Sequence, residues 1–145
     1  MAGSDPLNRP DAFIPDLLDR DYLIRRWQHG SEAFFWRHEK RGLLTPVSDG
    51  CKLRYTWSAV FDFECGQPPA GMFEAYKSDL LTEHQAAHLC TVKPSYILTA
   101  ARAGDLPTRR IGRAFRFVPA ELEAWQSRRF VNRKSLKQRR KTGNE

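Results

Sequence analysis

The sequence predicts an α+β fold, mainly helical with small β-hairpin wings, in which two winged helix-turn-helix units follow one another. Three observations carry this. Residues 80–126 read as helix, turn, helix, hairpin and helix. The same order returns in residues 16–64 at a constant offset of 62. Hydrophobic residues make up 41% and aromatic residues 12% of the 145, enough to build a packed core rather than a disordered chain.

The second unit is the more legible. Thr82 is a good N-cap, and Gln85 stands three residues on, as in a capping box. Ala86, Ala87 and Leu89 are expected to face inward. Cys90-Thr91-Val92 forms a tight turn. Pro94 suits the first turn of a second helix, Ser95 to about Arg102, which stops at Gly104 before Pro107. Thr108–Ile111 and Ala114–Phe117 are short extended runs around Gly112-Arg113, which permits a hairpin turn. Phe115 and Phe117 share one face of the second strand and Arg116 takes the other. Val118 to Trp125 opens a third helix with Leu122 and Trp125 inward.

The first unit repeats the pattern without a gap. Adding 62 takes Phe35 to Ile97, Lys40 to Arg102, Gly42 to Gly104, Gly50 to Gly112, Arg54 to Arg116 and Tyr55 to Phe117. Asp19 or Asp21 caps a helix containing Leu23, Ile24 and Trp27. His29-Gly30-Ser31 is the turn, and Glu32 to Arg41 is the second helix. Residues 46–55 form the wing, with Asp49-Gly50 as a hairpin signal. Thr56 to Phe61 begins the third helix. Trp27, Trp36, Trp57 and Trp125 read as core residues.

Around these units, residues 1–15, with Pro6, Pro10 and Pro15, read as a flexible arm. Residues 65–79 read as a linker, part of which Phe73 and Tyr76 dock on a core, and 127–145 as a basic tail. The net charge is +7, and its distribution is uneven. Residues 1–66 hold 9 Lys/Arg against 10 Asp/Glu, residues 67–125 hold 7 against 6, and residues 126–145 hold 8 against 1. The body is therefore near neutral, and the tail is of the kind that tracks phosphates.

Other chemistries are poorly supported. No apolar run approaches the roughly 18 residues that span a bilayer, and the first residues lack a basic and apolar leader. An intracellular protein with no membrane partner is expected. Cys51, Cys65 and Cys90 form no C-x-x-C pair and read as reduced thiols. His84 and His88 have metal-ligand spacing near Cys90, but Gln85 stands where a zinc hydrolase carries its glutamate. A solvated helix face, no metal, no cofactor and no enzymatic activity are expected.

Leu81-Thr82, Val92, Gly104-Asp105-Leu106-Pro107, Ile111-Gly112-Arg113, Phe115-Arg116-Phe117 and Leu122-Glu123-Ala124-Trp125 resemble the excisionase/AlpA-type DNA-binding domain, a relative of the MerR-like winged helix. The resemblance covers about a third of the chain. The first half is similar more weakly, through Trp36-Arg37, Lys40-Arg41-Gly42-Leu43-Leu44, Arg54-Tyr55 and Trp57-Ser58. It implies a cytoplasmic, nucleoid-associated protein of bacterial or phage origin. Such a protein binds double-stranded DNA as a transcriptional regulator, or as an excisionase that sets the direction of recombination in a mobile element. Expected partners are then an integrase or other recombinase, or RNA polymerase, with a homodimer possible through the first unit. The alternative is a DNA-recognition adaptor of a phage packaging complex, like a small terminase subunit.

An α-helix fits the major groove, and its first residues reach base edges. In the second unit Lys93, Ser95, Tyr96 and Thr99 take that place, with Arg102 toward the backbone. Arg109, Arg110, Arg113 and Arg116 lie on the wing, with Arg113 at its tip suited to a minor groove. In the first unit Glu32, Phe34, Arg37 and His38 face the groove, and Arg37, Lys40, Arg41, Lys52 and Arg54 play the analogous cationic roles. Arg128, Arg129, Arg133 and Lys134 add phosphate contacts from the tail. The plain second helix favours binding through wing and backbone, with shape readout.

Overall fold

The computed structural model describes residues 14–48 and 50–131. Asp49, Arg133, Lys134 and most of the expected arm and tail lie outside the described residues. Helices start where a side chain or a proline resolves the orphan amides of a first turn. Asp19 accepts from the Tyr22 amide at 2.8 Å and opens α1 (Arg20–Trp27). Ser31 accepts from Phe34 and opens α2 (Glu32–Lys40). Thr56 opens α3 (Trp57–Phe63) in the same way. Thr82 and Gln85 complete the expected capping box on α4 (Glu83–Cys90). Proline instead begins α5 (Pro94–Arg102) and α6 (Pro119–Arg129), where its missing N–H costs little.

Strands β1 (Leu17–Leu18), β2 (Val47–Ser48) and β3 (Leu53–Thr56) form an antiparallel sheet in the order β1-β3-β2. Strands β4 (Arg109–Ile111) and β5 (Ala114–Arg116) form a second sheet, beside a bridge between Leu81 and Phe117. The described residues are thus mixed α/β, with six α-helices and two small antiparallel sheets. The longest helix, α6, has 11 residues. An isolated helix is marginal in water below about 12–15 residues, so tertiary packing holds these elements in place.

The helix, helix, hairpin, helix order does occur twice. From α2 onward it recurs at an offset of 62, α2 falling on α5 and the start of α3 on that of α6. Helix α1 falls on α4 at 63. Four residues, 28–31, separate the first pair of helices and three, 91–93, the second. The expected gap-free repeat is corrected by that one residue in the turn.

Two cores result, and they are not private to the two halves. One gathers Leu23, Trp27, Phe34, Phe35, Tyr55, Trp57 and Phe61, yet also takes in Leu80, Ile111 and Val118. The other gathers Ala86, Ala87, Cys90, Ile97, Phe117, Leu122 and Trp125. Leu89 is 56% exposed, contrary to expectation, because Ala86, Ala87 and Cys90 define the inward stripe of α4 and Leu89 lies off it. Trp36 is 60% exposed for the same reason, Phe34 and Phe35 being the inward residues of α2.

Residues 65–79 are largely exposed but are anchored at Tyr76 and Lys77. A 3-10 turn at Ala75–Lys77 buries Tyr76, whose hydroxyl donates to Glu121 on α6 at 2.8 Å. Burial, with Glu121 beside it, pushes the Tyr76 phenol up to about 12. Phe73 meets Phe61 of the first core. At the other end of the chain, Pro15 accepts from the Trp57 indole at 2.9 Å and Ile14 packs on the same core.

The buried centre of this joint is ionic. Arg26 on α1 and Glu64 at the end of α3 are both excluded from solvent and meet through two bonds of 2.9 Å. Arg26 also donates to the Ser78 carbonyl, and the Trp27 indole donates to Glu64. Removing one partner of such a pair strands a buried charge, which costs about 3–5 kcal/mol, against about 0–1 for an exposed pair. Glu64→Ala should lower the unfolding free energy, read from a urea titration, by that larger amount, with a matching fall in the midpoint. Glu32→Ala, which breaks only an exposed contact with Arg20, should leave the midpoint nearly unchanged.

Two histidines line the same joint. A methyl group placed on Gly112, at the β4–β5 tip, would lie 3.1 Å from His29 Nε2 and 3.3 Å from Phe34. His38 packs on Phe34 and Phe63. Both imidazoles have a lowered pKa, through burial first, with Arg116 repelling the His29 cation and Arg37 and Arg41 that of His38. A depressed histidine binds fewer protons folded than unfolded below about pH 6.5, so stability falls as pH falls. The thermal midpoint should drop between about pH 7.5 and 5.5. The His29→Gln/His38→Gln double variant should flatten that slope; an equal slope would refute the assignment.

Candidate nucleic-acid interface

Helix α5 begins at Lys93 with no side chain taking up its first amides. Lys93, Ser95, Tyr96 and Thr99 line one shallow depression along its exposed side. Four of the expected contact residues therefore share one surface.

Both ends of that surface are cationic. At the far end of α5, the Arg102 guanidinium lies 5.9 Å from the Phe115 ring centre and that of Arg110 lies 4.7 Å from it. One ring thus holds two guanidinium groups beside the hairpin. Arg113 is exposed at the hairpin tip. Along the other edge, Arg129 at the end of α6 donates to the Tyr96 hydroxyl at 2.6 Å and pairs with Asp105 at 2.7 Å. The Trp125 indole donates to the same carboxylate at 3.1 Å, and Arg128 donates to the Asp105 carbonyl. The indole bond first, and then Arg129, hold the Asp105 carboxyl below the usual carboxylate range. Asp105 thereby fixes Arg129 against Tyr96. The basic residues of 132–145 follow directly from this edge in sequence.

Two of the four hairpin arginines do not belong to the surface. In the β4–β5 register Arg109 stands opposite Arg116, and Arg110 opposite Phe115. Opposed residues share a face. The Arg110/Phe115 face is the outer one. The Arg109/Arg116 face is turned inward, and these side chains are only 7% and 9% exposed. Arg109 pairs with Glu121 at 2.9 Å and packs on Gly66, where a methyl group would come within 2.4 Å of its side chain. Arg116 donates to the carbonyls of Trp27 and Gln28 at 2.7 and 2.8 Å. A cation at a helix C-terminus satisfies carbonyls that the helix leaves over. The expectation that Arg109 and Arg116 meet phosphate is corrected: both guanidinium groups are buried and bonded inside the protein.

The first half differs. Arg37, Lys40, Arg41 and Lys52 are exposed, and Arg54 is half-buried with one donor on the Leu53 carbonyl. Lys40 lies over the exposed Trp36 ring at 4.8 Å, a spacing of four residues that marks one helix face. The first turn of α2 is acidic, with Glu32 bonded to Arg20, which also holds Glu39 at 3.1 Å. Phe34, expected to face a groove, is buried against Trp27, His29 and Phe63. The hairpin tip of the second half sits on the same spot. Trp36, Phe115 and Asp105 were not expected in any site. The cation four residues from Trp36 and the alternation around Phe115 were the signals available.

His84 and His88 are exposed. Among the described residues no three His, Cys, Asp or Glu side chains gather in a way that suits a metal ion. No described helix is long and apolar enough to cross a membrane. Comparison with protein-family models, with curated proteins and with solved structures gives no match.

Proposed function

We propose that this chain binds double-stranded DNA, with its second half acting as a winged helix-turn-helix and α5 entering the major groove. One observation carries the reading. The exposed side of α5, lined by Lys93, Ser95, Tyr96 and Thr99, adjoins Arg129, with Arg102 and Arg110 gathered on Phe115 at the helix's far end and a polybasic sequence following Arg128 and Arg129. A cationic band flanking an exposed helix face matches the requirements of a phosphate backbone on either side of a groove. The first half, in this reading, is a second winged unit turned largely to support. It holds the hairpin of the second half and adds phosphate contacts through Arg37, Lys40 and Arg41. The role in the cell is proposed as transcriptional control or direction of recombination.

Arg110→Ala with Arg113→Ala should weaken binding to mixed-sequence duplex by about tenfold to a hundredfold at moderate salt, since each lost phosphate contact removes roughly one log unit from the salt slope. Unchanged affinity by fluorescence anisotropy would remove the hairpin from the interface. Arg116→Ala belongs to a different experiment, because it should lower the thermal midpoint.

Deleting 132–145 removes six Lys/Arg and leaves Arg128 and Arg129 in place. If about five of those cations neutralise phosphates, the slope of log K against log salt should flatten by about 4 to 5. A slope equal to that of the full chain would exclude the basic sequence from the complex.

A further inference from the structure

We infer that the outer face of α5 recognises thymine C5-methyl groups, giving the second half a preference for A·T-rich duplex. The inference rests on the DNA-binding reading and deepens it by naming the base class.

Between Pro94 and Ala101 the helix has no Arg, Lys, Asn, Gln, Asp or Glu. Lys93 and Arg102 flank this stretch, and within it the helix lacks the cationic donors that pair with guanine, the carboxamides that pair with adenine and the carboxylates that accept from cytosine. What it offers is apolar. The Thr99 hydroxyl donates back to the Ser95 carbonyl at 2.9 Å, so its donor is used within the helix. With the oxygen held against the preceding turn, the staggered rotamer leaves the Thr99 methyl for the exposed side. Ala103 lies one turn further along the same face.

These groups line a second depression with Tyr96, Ala100, Asp105 and Arg129. Its volume is about 160 Å³, small beside the roughly 300–1,000 Å³ of a small-molecule pocket, but ample for a methyl group. Tyr96 forms a fixed wall, bonded to Arg129 and 6.1 Å from the Trp125 ring. A wall ordered before binding loses little entropy on contact. Threonine and alanine methyls are the groups that meet the thymine methyl in a major groove.

The test compares two duplexes of one A·T-only sequence, one with thymine and one with uracil, which lacks the C5-methyl, by fluorescence anisotropy. Burying one methyl group corresponds to about fourfold in affinity, so the thymine duplex should bind about threefold to tenfold more tightly. Thr99→Ser keeps the hydroxyl and removes the methyl, and should bring the ratio toward one. Arg113→Ala should weaken both duplexes and leave the ratio intact. Equal affinity of the intact protein for both duplexes, at a salt-dependent strength, would overturn methyl recognition and leave DNA binding standing. A ratio that survives Thr99→Ser would show that the Thr99 methyl does not read the thymine methyl, and would also overturn the inference. No salt-dependent binding to either duplex would remove the DNA-binding reading and this inference together.

Discussion

The carbonyl end of α1 is the constraint on which the rest of the structure depends. Arg26, Trp27 and Gln28 finish that helix, and each hands its carbonyl to a distant segment. The Arg26 carbonyl takes the amide of Leu80, where the second half begins. Those of Trp27 and Gln28 take Arg116 from the second hairpin. The Arg26 side chain meanwhile reaches Glu64 and Ser78. A helix end carries unsatisfied carbonyls and a partial negative charge. Here the satisfying groups, the Leu80 amide and the Arg116 guanidinium, come from the second half, so finishing α1 and joining the halves are one event.

The local features were legible in the sequence. Thr82 and Gln85 cap a helix because the capping box needs four residues and nothing else. Pro94 and Pro119 begin helices for an equally local reason. The hairpin at Gly112 and its alternation were readable too, since one face had to carry Arg110 and Phe115 and the other Arg109 and Arg116. Which face turns inward was not readable. That choice is made by the α1 carbonyls, 88 and 89 residues away from Arg116 in the chain, and by Glu121 and Gly66. Alternation defines two faces; only the covering surface says which is buried. Trp36 escaped for a related reason. Its size argues for a core, but Phe34 and Phe35 already fill the inward stripe of α2.

The same logic separates the two halves. They share an element order, yet the position that is the exposed Tyr96 on α5 is the buried Phe34 on α2. Phe34 supports the other half's hairpin, while Tyr96 is held by Arg129 at an open surface. The first turn of α2 is acidic and internally paired, whereas α5 begins with a lysine and no carboxylate. An equal count of second helices therefore does not mean equal chemistry. The surface of the second half is shaped by Asp105, which spends its charge on orienting Arg129.

Shared core residues also bear on how this chain can change. In arrays whose repeats meet only at their borders, stability is close to a sum over units, and a unit can be gained, lost or exchanged. Leu80, Ile111 and Val118 forbid that here, because they complete the first core from within the second half. Splitting the chain between the repeats would open an apolar face on one piece and strand Arg116 on the other. The two halves therefore fold as one unit, and the repeat is not modular. Exposed positions such as Cys51 and Leu89 lie outside these shared contacts, where no partner half is waiting.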